Sequence, residues 1–86
     1  MAQSSAADPP ATLTEQRVAA IWIDVLETGG AGVNAGFLAL GGDSVHAMRI
    51  LARLNQTFGL DLSLRDLMNL PTIRQQAAFI DRILSP

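Results

Sequence analysis

The chain has 86 residues, 49% of them hydrophobic and 16% charged, with eight acidic residues, six basic residues and a formal net charge of −2. This size allows one domain with a single modest core, and the weak negative charge argues against nucleic acid as a partner. The lack of cysteine and the single histidine, His46, exclude disulfides, a cysteine nucleophile and Cys- or His-rich metal sites. With no signal peptide pattern and no apolar stretch of membrane-spanning length, we expect a cytoplasmic protein.

The first predicted helix follows an N-terminal tail. Residues 1–11 are rich in Ala, Ser and Pro without periodicity, so we predict a disordered tail or linker, followed by one folded domain over residues 12–86. Thr12 and Glu15 have the spacing of a capping box, which predicts that the helix begins here. A core-facing stripe at helical spacing follows: Val18, Ile21, Trp22 and Val25.

A long connection separates this helix from the next one. Gly29-Gly30 should end the first helix, and the glycine-rich segment continues to about Asp43. Loops of this length in small domains are uncommon and often functional. We expect its apolar residues to hold it over the helices, with Phe37 as the main anchor.

Three further helices are predicted. The second should run from about Ser44 to Phe58 with Gly59 at its end, and a short one should cover about Leu64–Asn69. Thr72 is a good N-cap for a last helix over about Ile73–Leu84. We therefore predict an all-α fold, a small four-helix bundle of three main helices and one short helix with a long loop between helices 1 and 2.

Ser44 lies where a tight turn meets the start of a helix. Gly41 and Gly42 allow the backbone to turn sharply, and Asp43 precedes the serine. A helix N-terminus offers free backbone N–H groups and a positive dipole, so a phosphate ester on Ser44 would be well tolerated. The same four residues could also be an ordinary loop that ends in a helix cap.

The second predicted helix has apolar residues on two faces. Ala47, Ile50, Leu51, Leu54 and Phe58 form the stripe that docks it on the core, whereas Val45, Met48 and Ala52, with Arg49 among them, lie opposite. A surface helix needs only one apolar stripe, so the second one predicts a landing surface for other proteins, unless the long loop covers it.

From about Leu13 onward the chain resembles a peptidyl carrier domain, or thiolation domain, of nonribosomal peptide synthesis. The resemblance spans nearly the whole folded part in register. It rests on the helix Ile21-Trp22 to Leu26, on Phe37, on Leu40-Gly41-Gly42-Asp43-Ser44, and on Arg53-Leu54, Phe58-Gly59 and Leu70-Pro71-Thr72-Ile73.

The resemblance implies a non-catalytic carrier. It implies that a phosphopantetheinyl transferase attaches 4′-phosphopantetheine from coenzyme A to Ser44, with Asp43, Gly42 and Gly41 in the attachment motif. It implies an arm that holds aminoacyl or peptidyl groups as thioesters, and a monomer that works without metal, nucleic acid or membrane. Adenylation and condensation domains are the implied partners, with epimerisation or thioesterase domains as further ones.

The predicted partner interface comprises Val45, Met48, Arg49, Leu64 and Met68, although core packing is the alternative for the last two.

The chain departs from the family pattern in its loop. The segment Asn34-Ala35-Gly36-Phe37-Leu38 stands where acids followed by two aromatics are common, and Val45 stands where Leu or Ile is commoner. Asp43 before the serine resembles carriers that serve epimerisation domains. We interpret His46 as a solvated helix residue and Trp22 as core.

Three other functions stay open. A fatty-acid or polyketide acyl carrier would share the fold and prosthetic group, but such carriers resemble one another in an acidic second helix, whereas this one carries Arg49 and Arg53. An unmodified helical interaction module would not need Ser44. A hydrolase is disfavoured because His46, two residues along a helix from Ser44, is poorly placed as its base.

Overall fold

A computed structural model describes residues 9–28, 32–34, 36–37 and 40–85. Four helices form this part of the chain: α1 (Leu13–Leu26), α2 (Ser44–Phe58), α3 (Leu64–Met68) and α4 (Ile73–Leu84). Its extended backbone pairing amounts to one isolated antiparallel bridge between Gly36 and Thr72. The predicted all-α four-helix fold is confirmed, whereas residues 1–8 of the predicted tail lie outside the described residues.

Each helix begins with a capping box, in which the N-cap side chain accepts from the N3 backbone N–H. In α1, α3 and α4 the N3 side chain accepts from the cap backbone N–H in return, whereas in α2 the N3 residue is His46, whose ring contacts Asp43. The first hydrogen-bonded turn is the costly step in forming a helix, so these local bonds favour helices at the observed positions. The sequence predicted the box of α1, the box-like pair of α3 and the N-cap of α4. The N-cap and N3 residues are Thr12 and Glu15 in α1, Asp43 and His46 in α2, Ser63 and Asp66 in α3, and Thr72 and Gln75 in α4.

The ends of α1 and α2 use the same left-handed turn but different residues. Gly59 ends α2, as predicted, and adopts φ 67°. The backbone N–H of its neighbour Leu60 donates to Asn55 O over 3.0 Å. In α1 it is Glu27, with φ 53°, that takes this conformation. The prediction that Gly29-Gly30 ends α1 was therefore wrong, because the helix stops earlier; those two glycines lie outside the described residues.

The core forms where α1 packs against both α2 and α4. Trp22 is fully buried at its centre, as predicted. Its indole Nε1–H donates to Gln76 Oε1 over 2.9 Å, and Gln76 Nε2 donates to Leu70 O over 2.9 Å. A buried amide is stable only when such partners satisfy it. The other fully buried large side chains are aliphatic: Val18, Val33, Ile50, Leu54, Ile73 and Ile80.

The described part of the long connection is held against the start of α4. Phe37 N–H donates to Pro71 O over 3.1 Å, and Arg74 N–H donates to Val33 O over 3.0 Å. The Phe37 ring meets the Trp22 ring edge-on, with centroids 6.0 Å apart at 81°. Phe37 is therefore an anchor of the loop, as predicted, through both its backbone and its ring.

Candidate functional site

The turn before α2 is hydrogen-bonded to the backbone carbonyl of Phe37. The N–H groups of Leu40 and Gly42 both donate to Phe37 O over 3.2 Å. Between them Gly41 adopts φ 87°, a conformation that residues with a Cβ rarely tolerate. This turn delivers the chain to the first residue of α2, Ser44, whose side chain is exposed.

Gly42 is required for a different reason, which is close approach. A Cβ on Gly42 would lie 2.6 Å from Cε1 of Phe37, well inside van der Waals contact. Because the Phe37 ring already packs on Trp22, it has little freedom to withdraw. The predicted role of the two glycines in forming a tight turn is thus divided, with Gly41 supplying the positive φ and Gly42 the space.

Asp43 and His46 form a hydrogen-bonded pair beside the serine. Asp43 Oδ1 accepts from the His46 backbone N–H over 3.0 Å and lies 2.9 Å from His46 Nδ1. The backbone N–H of His46, donating to the carboxylate, is the main cause that lowers the pKa of Asp43 below its ordinary value of 3.8. Asp43 is the helix cap that the sequence allowed. His46 differs from the predicted solvated side chain, because its half-buried ring completes the capping box.

The first turn of α2 can accommodate a phosphate ester. Ser44 presents its hydroxyl to solvent at the positive end of a 15-residue helix, where backbone N–H groups and the helix dipole favour negative charge. His46 is two residues after Ser44 on α2, so its side chain projects about 200° around the helix axis from that of Ser44 and is poorly placed to act as its base. The geometry suits a serine that another protein modifies.

The residues predicted to meet partners are all exposed. On α2, Val45 is 57% exposed, Met48 is 59% exposed and Arg49 is also exposed. On α3, Leu64 is 38% exposed and Met68 is 56% exposed, so neither is part of the buried core. Val45, Met48 and Ala52 remain exposed, so the described part of the loop leaves this second apolar face of α2 open, and α3 packs against α2. Their role in binding stays a prediction.

A largely apolar cavity of about 220 Å³ opens beside this surface. It lies between α2, α3 and the two connections that meet at Gly36 and Pro71, and Ala47, one turn after Ser44, is in its wall. The sequence did not reveal this cavity, because its lining comes from five segments, one of them α4, that only the fold brings together. The other lining residues are Phe37, Ile50, Leu67, Met68, Leu70 and Gln76.

No group of three or more His, Cys, Asp or Glu side chains in the described part of the chain is placed to hold a metal ion. Among the helices given above, none combines the length and the apolar character that a membrane span requires.

Known proteins resemble the chain both in sequence and in structure. Tyrocidine synthase 1 of Brevibacillus parabrevis is 44% identical over 79 residues, which is 91% of this chain but 7% of the synthase. The A-PCP structure of McyG complexed with phenylalanyl-adenylate superposes with a TM-score of 0.82 at 33% identity, covering 84% of this chain and 11% of that one. A peptidyl carrier protein in complex with coenzyme A and the phosphopantetheine transferase Sfp gives 0.83 at 29% identity, covering 87% of this chain and 97% of that structure.

The family assignment rests on most of the chain. Residues 16–80 match the family described as phosphopantetheine attachment site, and this segment contains all of α2. Bacitracin synthase 1 and tyrocidine synthase 1 are far longer, and the chain spans only 1% and 7% of them. The chain therefore belongs to the phosphopantetheine attachment family, as a peptidyl carrier domain.

Proposed function

We propose that Ser44 is the attachment residue and that the domain carries aminoacyl or peptidyl groups in nonribosomal peptide synthesis. The observation that carries the proposal is the exposed Ser44 hydroxyl on the first residue of α2, in a family defined by phosphopantetheine attachment. Ser44 Oγ would form a new O–P bond to the phosphorus of coenzyme A that bears pantetheine, and its proton would pass to a base of the transferase. The P–O bond to the other phosphate would break, so that adenosine 3′,5′-bisphosphate leaves.

The residues around Ser44 fit such a group. The N-terminus of α2 suits the negative charge of a phosphodiester, and the turn through Gly41 and Gly42 leaves the hydroxyl exposed. When attached, the group supplies a terminal thiol that carries cargo as a thioester. The contribution of the chain itself is a fixed attachment point, and a tethered cargo reaches each partner at high effective concentration.

The partner interface of this proposal joins α2 to α3. Its members are Val45, Met48, Arg49, Leu64 and Met68, and exposed methionines suit a surface that must fit several partners. The proposed partners are a phosphopantetheinyl transferase and the adenylation, condensation, epimerisation and thioesterase domains of a synthetase. Each contact should be small and short-lived, because the same surface must release one partner before it meets the next.

The proposal makes the domain a carrier and not a catalyst, acting in the cytoplasm. One observation disfavours a hydrolase that uses Ser44. His46 lies two residues along the helix, which turns its side chain about 200° away from that of Ser44.

Intact mass after incubation with coenzyme A, Mg²⁺ and a promiscuous phosphopantetheinyl transferase tests the proposal. We expect the wild-type chain and Ser63→Ala to gain one phosphopantetheine, whereas Ser44→Ala should gain none. Ser63 is a matched control because it is an exposed serine at the start of another helix. If the folded wild-type chain stays unmodified, an unmodified interaction module becomes the better description. A gain in Ser44→Ala would place the attachment at another residue.

A further inference from the structure

The capping box of α2 differs in chemistry from the other three boxes. In α1, α3 and α4 a hydroxyl cap is paired with an N3 carboxylate or amide, whose oxygen accepts from the cap backbone N–H. In α2 the cap is an acid, Asp43, and the N3 residue is an imidazole, His46. This exception immediately flanks Ser44.

The distances indicate which way the hydrogen bond of the ring runs. His46 Nδ1 lies 2.9 Å from Asp43 Oδ1 and 3.3 Å from the Asp43 backbone nitrogen. One neutral ring nitrogen either donates or accepts, so it cannot satisfy both contacts. The shorter contact is to a charged acceptor, and hydrogen bonds to ionised groups are the stronger ones. Nδ1 therefore carries the proton and donates to the carboxylate.

Asp43 Oδ1 consequently has two donors, the backbone N–H and the ring Nδ1–H of His46. The carboxylate is otherwise well exposed, with 65% of its side-chain surface accessible. Without the His46 ring the Asp43 carboxylate would be more mobile. It could then turn its full negative charge toward the anionic diphosphate of coenzyme A as that group approaches Ser44.

We propose that His46 is a positioning residue for the modification of Ser44, because its Nδ1–H holds the Asp43 carboxylate in the cap and offsets its charge. The inference rests on the proposed attachment at Ser44. His46 acts through Asp43 and does not touch the hydroxyl.

The first test reads the tautomer of His46 directly by ¹⁵N NMR, at a pH where the ring is neutral. We expect the proton on Nδ1 in the wild-type chain and a shift toward Nε2 in Asp43→Ala. A proton on Nε2 in the wild-type chain would overturn the proposal, because Nδ1 would then accept from the backbone as in an ordinary capping box. This measurement stands even if Ser44 proves not to be the attachment residue.

The second test separates positioning from capping by means of transferase kinetics. Gln and Glu are both good N3 residues, so His46→Gln and His46→Glu should keep α2 capped and preserve the melting temperature. Only the Gln amide can donate to Asp43. We expect kcat/KM of the His46→Gln variant to stay within about threefold of the wild-type value. For His46→Glu and for the uncharged His46→Ala it should fall about tenfold, which is the size of effect expected for the loss of one charged hydrogen bond.

Two controls make the kinetic result decisive. Gln75→Ala alters the box of α4 and should leave the modification rate unchanged, since that box does not contact Asp43. In an Asp43→Asn background, His46→Ala should have little further effect on the rate, because the carboxylate it acts upon is gone. The proposal fails if the transferase modifies the His46→Gln and His46→Glu variants at the same rate. It also fails if His46→Ala lowers kcat/KM as much in the Asp43→Asn background as in the wild-type chain. No modification of the wild-type chain would instead refute the proposed function.

Discussion

Asp43 couples the protonation state of one side chain to the stability of the helix that bears Ser44. Its carboxylate accepts from the His46 backbone N–H over 3.0 Å, and this bond lowers the pKa of Asp43 below 3.8. The folded chain therefore binds the Asp43 proton less tightly than the unfolded chain does. By linkage, the ionised carboxylate stabilises the folded state, and protonation removes that contribution.

The pH dependence of Asp43→Asn isolates this effect. An Asn cap is polar but does not titrate. The difference in free energy of unfolding between the wild-type chain and the variant should therefore be constant above the pKa that Asp43 has in the unfolded chain. That difference should shrink as the pH falls below 3.8 and through the lower pKa of the folded state. Urea unfolding of both chains at a series of pH values measures it. A stability difference that is the same at pH 2 and pH 6 would contradict the assignment.

Among the helices, α1 ends under more backbone strain than α2. Both ends use a left-handed residue, but α2 has Gly59 there whereas α1 has Glu27, with φ 53°. The left-handed region costs a residue with a Cβ roughly 1–2 kcal/mol, and glycine avoids that cost. The strain of Glu27 is therefore a place where the fold can be made more stable.

Replacing Glu27 by glycine should raise the free energy of unfolding by about 0.5–1 kcal/mol, because relief of the left-handed strain outweighs the extra freedom that glycine has in the unfolded chain. Thermal or chemical unfolding checks the value. The matched change is Gly59→Ala, which introduces the same strain at the end of α2 and should destabilise by about 1 kcal/mol. A loss of stability in Glu27→Gly would show that its side chain contributes more than its backbone costs.

Helix positions could be predicted from the sequence because their signals are local. Thr12 and Ser63 each lie three residues before a partner, and their boxes form as expected, as does the N-cap predicted at Thr72. The end of α1 could not be predicted, because Gly29-Gly30 gives a stronger local signal than a left-handed glutamate.

The missed features of the candidate site depend on information that sequence spacing does not carry. Histidine is an unusual N3 residue, and its contact with Asp43 depends on the side-chain rotamer. The apolar cavity forms only where α2, α3 and two connections meet. Ser44 itself was predictable, since its position depends on a glycine turn and a helix start that adjoin it in the chain.

Across the whole molecule, one buried amide holds three segments in register. Gln76 of α4 accepts from the Trp22 indole of α1 and donates to Leu70 O in the connection that precedes α4. Only 3% of Gln76 is exposed and Trp22 is fully buried, so the indole N–H has no ready replacement for its acceptor if the amide is removed. The Gln76 amide thus adds two hydrogen bonds, which require a defined orientation, to a core that consists mainly of aliphatic side chains.

Gln76→Met keeps the approximate shape of the side chain but leaves the buried Trp22 N–H without its acceptor and removes the donor to Leu70 O. We expect a loss of about 1–3 kcal/mol for the unsatisfied buried groups, and a melting temperature lower by roughly 4–8 °C for each kcal/mol. Gln56→Met, on the exposed face of α2, is the control and should change stability little. Equal effects of the two variants would mean that the amide contributes no more than any surface glutamine.

The backbone of Phe37 ties the turn before Ser44 to the rest of the domain. Its carbonyl accepts from Leu40 and Gly42, its N–H donates to Pro71 O, and its ring packs on Trp22. The amide protons of this turn should then exchange with solvent only when the core contact also opens, as one cooperative unit. The serine is thus fixed to a rigid base. The distance that a cargo can travel between partners is set by the flexible arm, while the point from which it swings stays still.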